Sequence, residues 1–343
     1  MRTRTARAAT AVATLALAGS GLILAAPAAQ AAPVFTASTF SSSSFAHDDS
    51  TCTESGAVEQ PSAAVPVTEN GAPVGASSAA SVTATGVPTD VMTGSSSVTG
   101  SGSVSSTGTN LKSIDHVASG QVTVNATTVP SACELHMLSQ TELDFAFTVA
   151  SPGFLTVEVA HKGPVYTEFY LQSVTPDDSS EYDEYGTGFD TTTTRRFYLP
   201  AGTYSGSTTI SAGVQSRSLP LQGPGSGSIH ATFALAGAQS VAVAGKAKKY
   251  VTYPATRSCA SHTVTATMTN KKKRADQIKQ VVFFVNDQKV KKAKTPDKGD
   301  AFALAVADNV DAVVRSEVTL FPKKPGAKAK VYEASASYVA CSA

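Results

Sequence analysis

The stretch TELDFAFTVASPGFLTVEVA, residues 141 to 160, decides the fold class. Leu143, Phe145, Phe147 and Val149 fall on one side of an extended chain, and Asp144, Ala146 and Thr148 on the other. Period-two alternation of this kind marks a strand with one buried face. Ser151-Pro152-Gly153 then supplies the Pro and Gly of a type II turn. After it Leu155, Val157 and Val159 resume the inward series against Thr156 and Glu158.

The same pattern extends outward in both directions. VYTEFYL (165–171) and SIHATFALA (228–236) alternate likewise, and RRFYL with TYSGSTTI reads as a strand pair turning at Pro200-Ala201-Gly202. Upstream, residues 77 to 128 are rich in Ser, Thr, Gly and Val, and SSSVTGSGSVSSTGTN alone reads as a flexible linker. SVTATGV and GQVTVNATTV alternate within it, however, so the stretch is expected to add weak strands to the same sandwich. Residues 32 to 46 read as a flexible mature N-terminus. Downstream, HTVTATMTN places Val264, Ala266 and Met268 on one face, and VVFFVNDQKVKK reads as a hairpin turning at Asn286-Asp287. Nowhere after residue 31 does a helical period hold over twelve residues. The expected fold is all-β: two β-sandwich domains, 47–240 and 241–343, each closed by one disulfide.

Composition supports that division. Residues 32 to 240 carry 5 Lys and Arg against 18 Asp and Glu, whereas 241 to 343 carry 19 against 8. The net charge of +1 for the 343 residues therefore hides an acidic half and a basic half. The first 31 residues read as a secretory signal peptide: Arg2, Arg4 and Arg7, an apolar run from Ala8 to Ala26, and the cleavage site Ala29-Gln30-Ala31. The style of this segment resembles exported proteins of high-GC actinobacteria. No later stretch has the length and apolarity of a membrane span, and SASYVACSA offers no sorting motif, so covalent wall anchoring is not expected. Four cysteines remain after cleavage, and local pairing of Cys52 with Cys133 and Cys259 with Cys341 is the economical choice in an oxidising compartment. Each bridge closes a loop of about eighty residues, a restraint on the order of 4 kcal/mol.

Two resemblances follow from these motifs. LDFAFTVASPGFLTVEV, EFYLQS and FYLPAGTY, spanning about 140 to 237, look like the extracellular β-sandwich modules of the pre-peptidase type. That likeness implies an accessory jelly-roll-like domain that binds surfaces or aids solubility and carries no catalytic residues. FVNDQKV together with Tyr338 just before Cys341 resembles the immunoglobulin-like modules of bacterial surface proteins, over about 245 to 343. The chain departs from antibody-type domains in having no Trp, and its cysteines bracket the module.

Chemistry is sparse. There is no G-x-S-x-G elbow and no H-E-x-x-H, and the six histidines are scattered singly. His47-Asp48-Asp49 could hold a metal, although a polar terminal segment is the plainer reading. The densest polar stretch is TPDDSSEYDEYGTGFD (175–190). Asp177, Asp178, Glu181, Asp183, Glu184 and Asp190 could supply calcium with oxygens, Gly186 or Gly188 giving the turn, but the spacing is not that of an EF-hand. The plainer reading is a solvated loop between strands, and a glycosidase-type acid pair is the third. Tyr182 and Tyr185 could stack on sugar rings. In the basic half, Lys271, Lys272, Lys273, Arg274, Lys291, Lys292 and Lys294, with KAKK (246–249) and KKPGAKAK (323–330), suit a cell-wall polymer or other anionic polysaccharide. Lysine dominance without interleaved aromatics argues against specific nucleic-acid recognition. The same lysines could instead simply protect edge strands. No cofactor is required by any motif, and calcium is the one that could be added. The function expected is a non-catalytic binding or structural role outside the cell; the competitor is a divergent polysaccharide or wall hydrolase with its site near 177–190. The opposite charges of the two halves also suggest electrostatic docking between them.

Overall fold

The computed structural model describes residues 33–343 apart from 57, 61–63, 88, 175–179, 187–189, 217–221, 323 and 325; the expected signal peptide lies outside them. Alternation from Phe35 to Leu235 produces the strands β1 (Phe35–Asp48), β2 (Thr53–Ser55), β3 (Val58–Gln60), β4 (Val65–Pro66), β5 (Val74–Thr85), β6 (Val91–Thr107), β7 (Asn110–Ala126), β8 (Leu135–Val149), β9 (Gly153–Lys162), β10 (Val165–Ser173), β11 (Glu181–Gly186), β12 (Thr191–Leu199), β13 (Gly202–Ser216) and β14 (Gly223–Leu235). They form two antiparallel seven-stranded sheets, ordered β11-β10-β13-β8-β1-β3, with β4 also on β1, and β12-β9-β14-β7-β6-β5-β2. The inward residues read from the sequence are buried: Leu143, Phe147, Leu155, Val157 and Val159 are all fully shielded from solvent.

The Ser/Gly-rich stretch forms β6 and its neighbours, as expected. The β6 glycines Gly94, Gly100 and Gly102 are buried where the opposite sheet comes close. A Cβ on Gly102 would lie 2.7 Å from the Phe40 ring, and one on Gly94 would lie 2.5 Å from the end of Met137. Two expectations are corrected. Residues 35 to 46 are not a flexible terminus but most of β1, paired along its whole length with β8. Phe40 and Ala46 enter the core, and inward Ser44 donates to the Ala79 carbonyl at 3.0 Å, so a serine-rich strand leaves no polar atom stranded there. RRFYL and TYSGSTTI are strands but not a pair: β12 joins β9, and β13 joins β8 in the other sheet. The Pro200-Ala201-Gly202 turn carries the chain between sheets, as the 151–153 turn does from β8 to β9.

Between the sheets lies a buried polar row. Ser96 and Ser139 share a hydrogen bond of 2.8 Å, and the fully buried His116 contacts Thr208 Oγ1 through Nδ1 (2.9 Å) and Thr141 Oγ1 through Nε2 (3.0 Å).

The second sandwich comprises β15 (Gln239–Ala244), a 3-10 turn (Lys246–Lys249), β16 (Val251–Thr252), β17 (Thr263–Met268), the one-turn helix α1 (Lys272–Ala275), β18 (Ile278–Val285), β19 (Gln288–Lys294), β20 (Ala301–Ala305), β21 (Ala312–Leu320) and β22 (Val331–Tyr338). Its sheets are β15-β22-β21-β18-β19 and β16-β17-β20. Asn286 and Asp287 take positive φ (46° and 61°) at the expected β18–β19 hairpin. Its core is separate from the first, centred on Phe283, Val314, Ala336 and Tyr338. Cys52–Cys133 and Cys259–Cys341 are bonded as expected, with Cα separations of 5.6 and 5.5 Å.

The two sandwiches meet through a small apolar cluster, Phe154, Tyr198, Val339 and Ala340. Arg196 lies 4.0 Å over the Phe154 ring and makes a two-pronged bond to Asp311 (3.1 and 3.0 Å). The cation thus comes from the acidic half and the anion from the basic half. The lysine runs take no part, so the expected docking of one net charge on the other is not how the halves are joined.

Removal from water lowers the pKa of His116 from 6.5 to about 4, against a smaller opposing effect of the Thr208 bond. A lowered histidine pKa means that its stability contribution is complete above the unfolded pKa and is lost as pH falls toward the folded one. Unfolding free energy should therefore drop by about 2 kcal/mol between pH 6.5 and 5. Urea denaturation of wild type and His116→Gln at the two pH values tests this, because the variant should lack that slope.

Candidate functional site

The acidic stretch is not one loop. Its middle is β11, an edge strand paired with β10, so successive side chains point to opposite faces. Glu181 and Asp183 are exposed on the outer face of the sheet. Glu184 is buried and bonded to Arg195 of β12 at 2.6 Å. Beside it Tyr182 packs edge-on against Phe197 with ring centroids 5.4 Å apart. These two contacts seal the margin where β11 of one sheet meets β12 of the other, so Tyr182 is not available as a sugar-stacking ring. Asp190 lies just before β12 of the other sheet, where it accepts a bond from the Gly163 N–H (3.3 Å). Asp177, Asp178, Gly188 and the side chain of Tyr185 lie outside the described residues. The described carboxylates of the expected calcium set thus diverge to three places, and a single calcium ion needs its oxygens to converge.

Outer-face pairing instead gathers acids that the sequence keeps apart. Glu142 and Asp144 of β8 lie in register with Thr209 and Ser207 of β13, and these with Glu168 and Tyr170 of β10. Tyr170 in turn lies opposite Asp183. A shallow groove of about 370 Å³ runs along this face, lined by Thr39, Asp144, Tyr170, Gln172 and Ser205. Loss of water, followed by the charges of Asp144 and Glu168, raises the Glu142 carboxyl above its usual range. Desolvation also raises Asp144, against the lowering effect of its bond to Glu142. A second groove, about 770 Å³, crosses the outer face of the other sheet and is lined by hydroxyls and small residues such as Thr99, Ser119, Ser226 and Gly227. His161, Lys162 and Asp190 also line it.

The basic residues show more convergence. Arg274 of α1 donates to the Lys249 carbonyl (3.3 Å), joining the 271–274 and 246–249 runs. Phe321 N–H bonds the Gln277 carbonyl (2.9 Å), and Leu320 N–H the Lys330 carbonyl (2.8 Å), bringing the 324–330 loop to the same end. Lys294 closes β19 there, opposite Gln280. Lys246, Lys248, Lys249, Lys271, Lys272, Lys273, Lys294, Lys324, Lys328 and Lys330 are all exposed. Lys291 and Lys292 extend the array along β19, which among the described residues has no partner strand on its outer side. This end is the one remote from Asp311, Val339 and Ala340, where the first sandwich is attached. Tyr250 and Tyr332 stack on each other beneath Lys249, whose ammonium lies 5.2 and 5.1 Å from the two rings. The aromatic pair therefore serves the lysine rather than an incoming base.

Among the described residues no helix is long and apolar enough to cross a membrane. No family model matches the chain, and no curated protein does. Among solved structures, the adhesin domain of Epf from Streptococcus pyogenes is similar at 10% identity over 68% of this chain and 78% of that one, with a TM-score of 0.21. The glycoside hydrolase domain of Endo-D from Streptococcus pneumoniae is similar at 11% identity over 60% of this chain and 33% of that one, with a TM-score of 0.16. At these scores neither likeness bears on what this chain does.

The raised carboxyls yield a signed expectation. A carboxyl whose folded pKa lies above its unfolded value costs stability when ionised and costs nothing once protonated in both states. Glu142→Gln should raise the melting temperature at pH 7 and leave it unchanged at pH 3, as measured by thermal denaturation at both.

Proposed function

We propose that the chain is an exported binding protein without catalysis of its own, whose C-terminal sandwich presents a lysine-rich tip to anionic polymers of a cell surface. The observation that carries this reading is the meeting of three basic runs, distant in sequence, at the end of the module farthest from its attachment to the first sandwich. Exposed ammonium groups on short turns attract repeating phosphates or carboxylates without a shaped pocket, and such attraction is long-ranged only at low salt. The sequence-derived signal peptide and the two disulfides support an extracellular setting. In this reading the first sandwich is a scaffold with an acidic outer face, which keeps the polymer at the far tip by repulsion.

Retention of the mature protein on purified cell wall is expected at low ionic strength, with release by roughly 0.5 M salt. Replacing Lys248, Lys271, Lys272 and Lys273 by Ser should shift elution to markedly lower salt while leaving the melting temperature near wild type, since all four are exposed. Retention that is indifferent to salt and to these substitutions, or release of soluble sugars from the wall, would overturn the reading in favour of a hydrolase.

A further inference from the structure

We propose a second site, independent of the lysine tip: His47, Asp49 and His136 form a binding site for a late first-row divalent cation, with zinc the expected occupant. His47 of β1 and His136 of β8 are direct cross-strand partners, and their rings stand 5.3 Å apart on the outer face of the sheet. Asp49 extends the β1 alternation by one step and is held in line by its N–H bond to the Glu134 carbonyl (2.7 Å). Its carboxylate therefore meets both rings: Oδ1 lies 2.5 Å from His47 Nε2, and Oδ2 lies 3.3 Å from His136 Nδ1. One ligand atom from each residue lies within 4.8 Å of the other two. A zinc ion about 2.0–2.2 Å from tetrahedral donors holds them about 3.3–3.6 Å apart, so the three must draw together by up to about 1.5 Å, which rotamer changes of the partly exposed side chains can supply.

The surroundings hold the donors in place. Phe45 packs edge-on against the His136 ring (5.0 Å) and lies 5.7 Å from the His47 ring, giving both imidazoles an apolar wall. The 48–52 segment is pinned by Asp48, which accepts from Ser50 and from the Glu134 N–H (2.9 Å), and by the Cys52–Cys133 bridge. The bridge sulfurs also lie near Asp48, but as a disulfide they cannot serve as thiolate ligands. Two imidazoles and one carboxylate suit zinc, copper or nickel, whereas calcium and magnesium require oxygen donors. Partial exposure of all three side chains leaves coordination positions open to water or to a carboxylate from outside.

Calorimetric titration of tag-free mature protein with zinc chloride after dialysis against chelator tests the site. One equivalent is expected to bind, and calcium chloride should neither bind there nor compete. Loss of a supporting outer-shell group weakens metal sites about 10–100-fold, so Asp49→Asn and His136→Gln should each weaken zinc by at least roughly tenfold. In wild type, zinc should shift the imidazole NMR signals of His47 and His136 and leave the buried His116 unmoved, a readout that needs no variant. Absence of saturable zinc binding, equal affinity in the His47→Gln/His136→Gln double variant, or zinc-dependent shifts confined to other histidines would each overturn the assignment.

Discussion

The distance between the two large sheets governs the rest of the first sandwich. Along β6 the inward positions include Gly94 and Gly102, and the space a side chain would take is filled by Met137 and Phe40 from the facing sheet. Close approach of this kind brings interior packing to its usual density. It also brings backbone and hydroxyl groups of opposite sheets within hydrogen-bond reach. Ser42 and Ser44 of β1 donate to carbonyls of β5, and Ser78 of β5 donates back to the Ser43 carbonyl. The margin between β1 and β5 is thereby closed by side chains, as the opposite margin is closed by Tyr182 with Phe197 and Glu184 with Arg195.

A core this rich in serine and threonine holds only because its polar atoms find partners. His116 depends on Thr141 and Thr208 for both ring nitrogens, and Ser96 depends on Ser139. An unpartnered group at that depth costs about 1–3 kcal/mol, comparable to a fair share of a domain's stability. The neutral imidazole follows from the same constraint, since removal from water disfavours the charged ring. Disulfides act at the periphery: Cys52–Cys133 fixes the start of β8 beside the segment that carries Asp49, and Cys259–Cys341 ties the chain end to the second sandwich.

Charge is arranged by position as well as by amount. The first sandwich collects carboxylates on an outer sheet face, and the second collects lysines at the end remote from the joint. The joint itself is mostly apolar, with Arg196 and Asp311 as its one two-pronged ion pair among the described residues. This separation keeps the two fields from neutralising each other and leaves both open to solvent.

Much of the strand content was legible in TELDFAFTVASPGFLTVEVA and its neighbours, because burial on one face imposes a period of two on any strand. The cystine pairs and the Asn286-Asp287 hairpin were legible too, the latter because only a few residues tolerate positive φ at both turn positions. Residues 35–46 do not read as a strand from sequence because their inward positions are largely serine and alanine, whose fitness for a strand depends on carbonyls supplied by β5. The pairing of β12 with β9 rather than β13 was hidden because alternation reports which face a side chain takes, not which strand lies beside it. The acidic stretch shows the same limit: its composition was plain, but only its placement on an edge strand sends Glu181 and Asp183 outward and Glu184 inward. His47 and Asp49 stand two apart in the sequence, yet His136 joins them only through the register of β1 on β8. The sequence by itself determined the all-β class, the division of charge and the covalent bridges, since these rest on local periodicity and composition. Tertiary structure alone decided which distant residues share a face or an end, because cross-strand neighbours are set by register and sheet order, which local pattern does not encode.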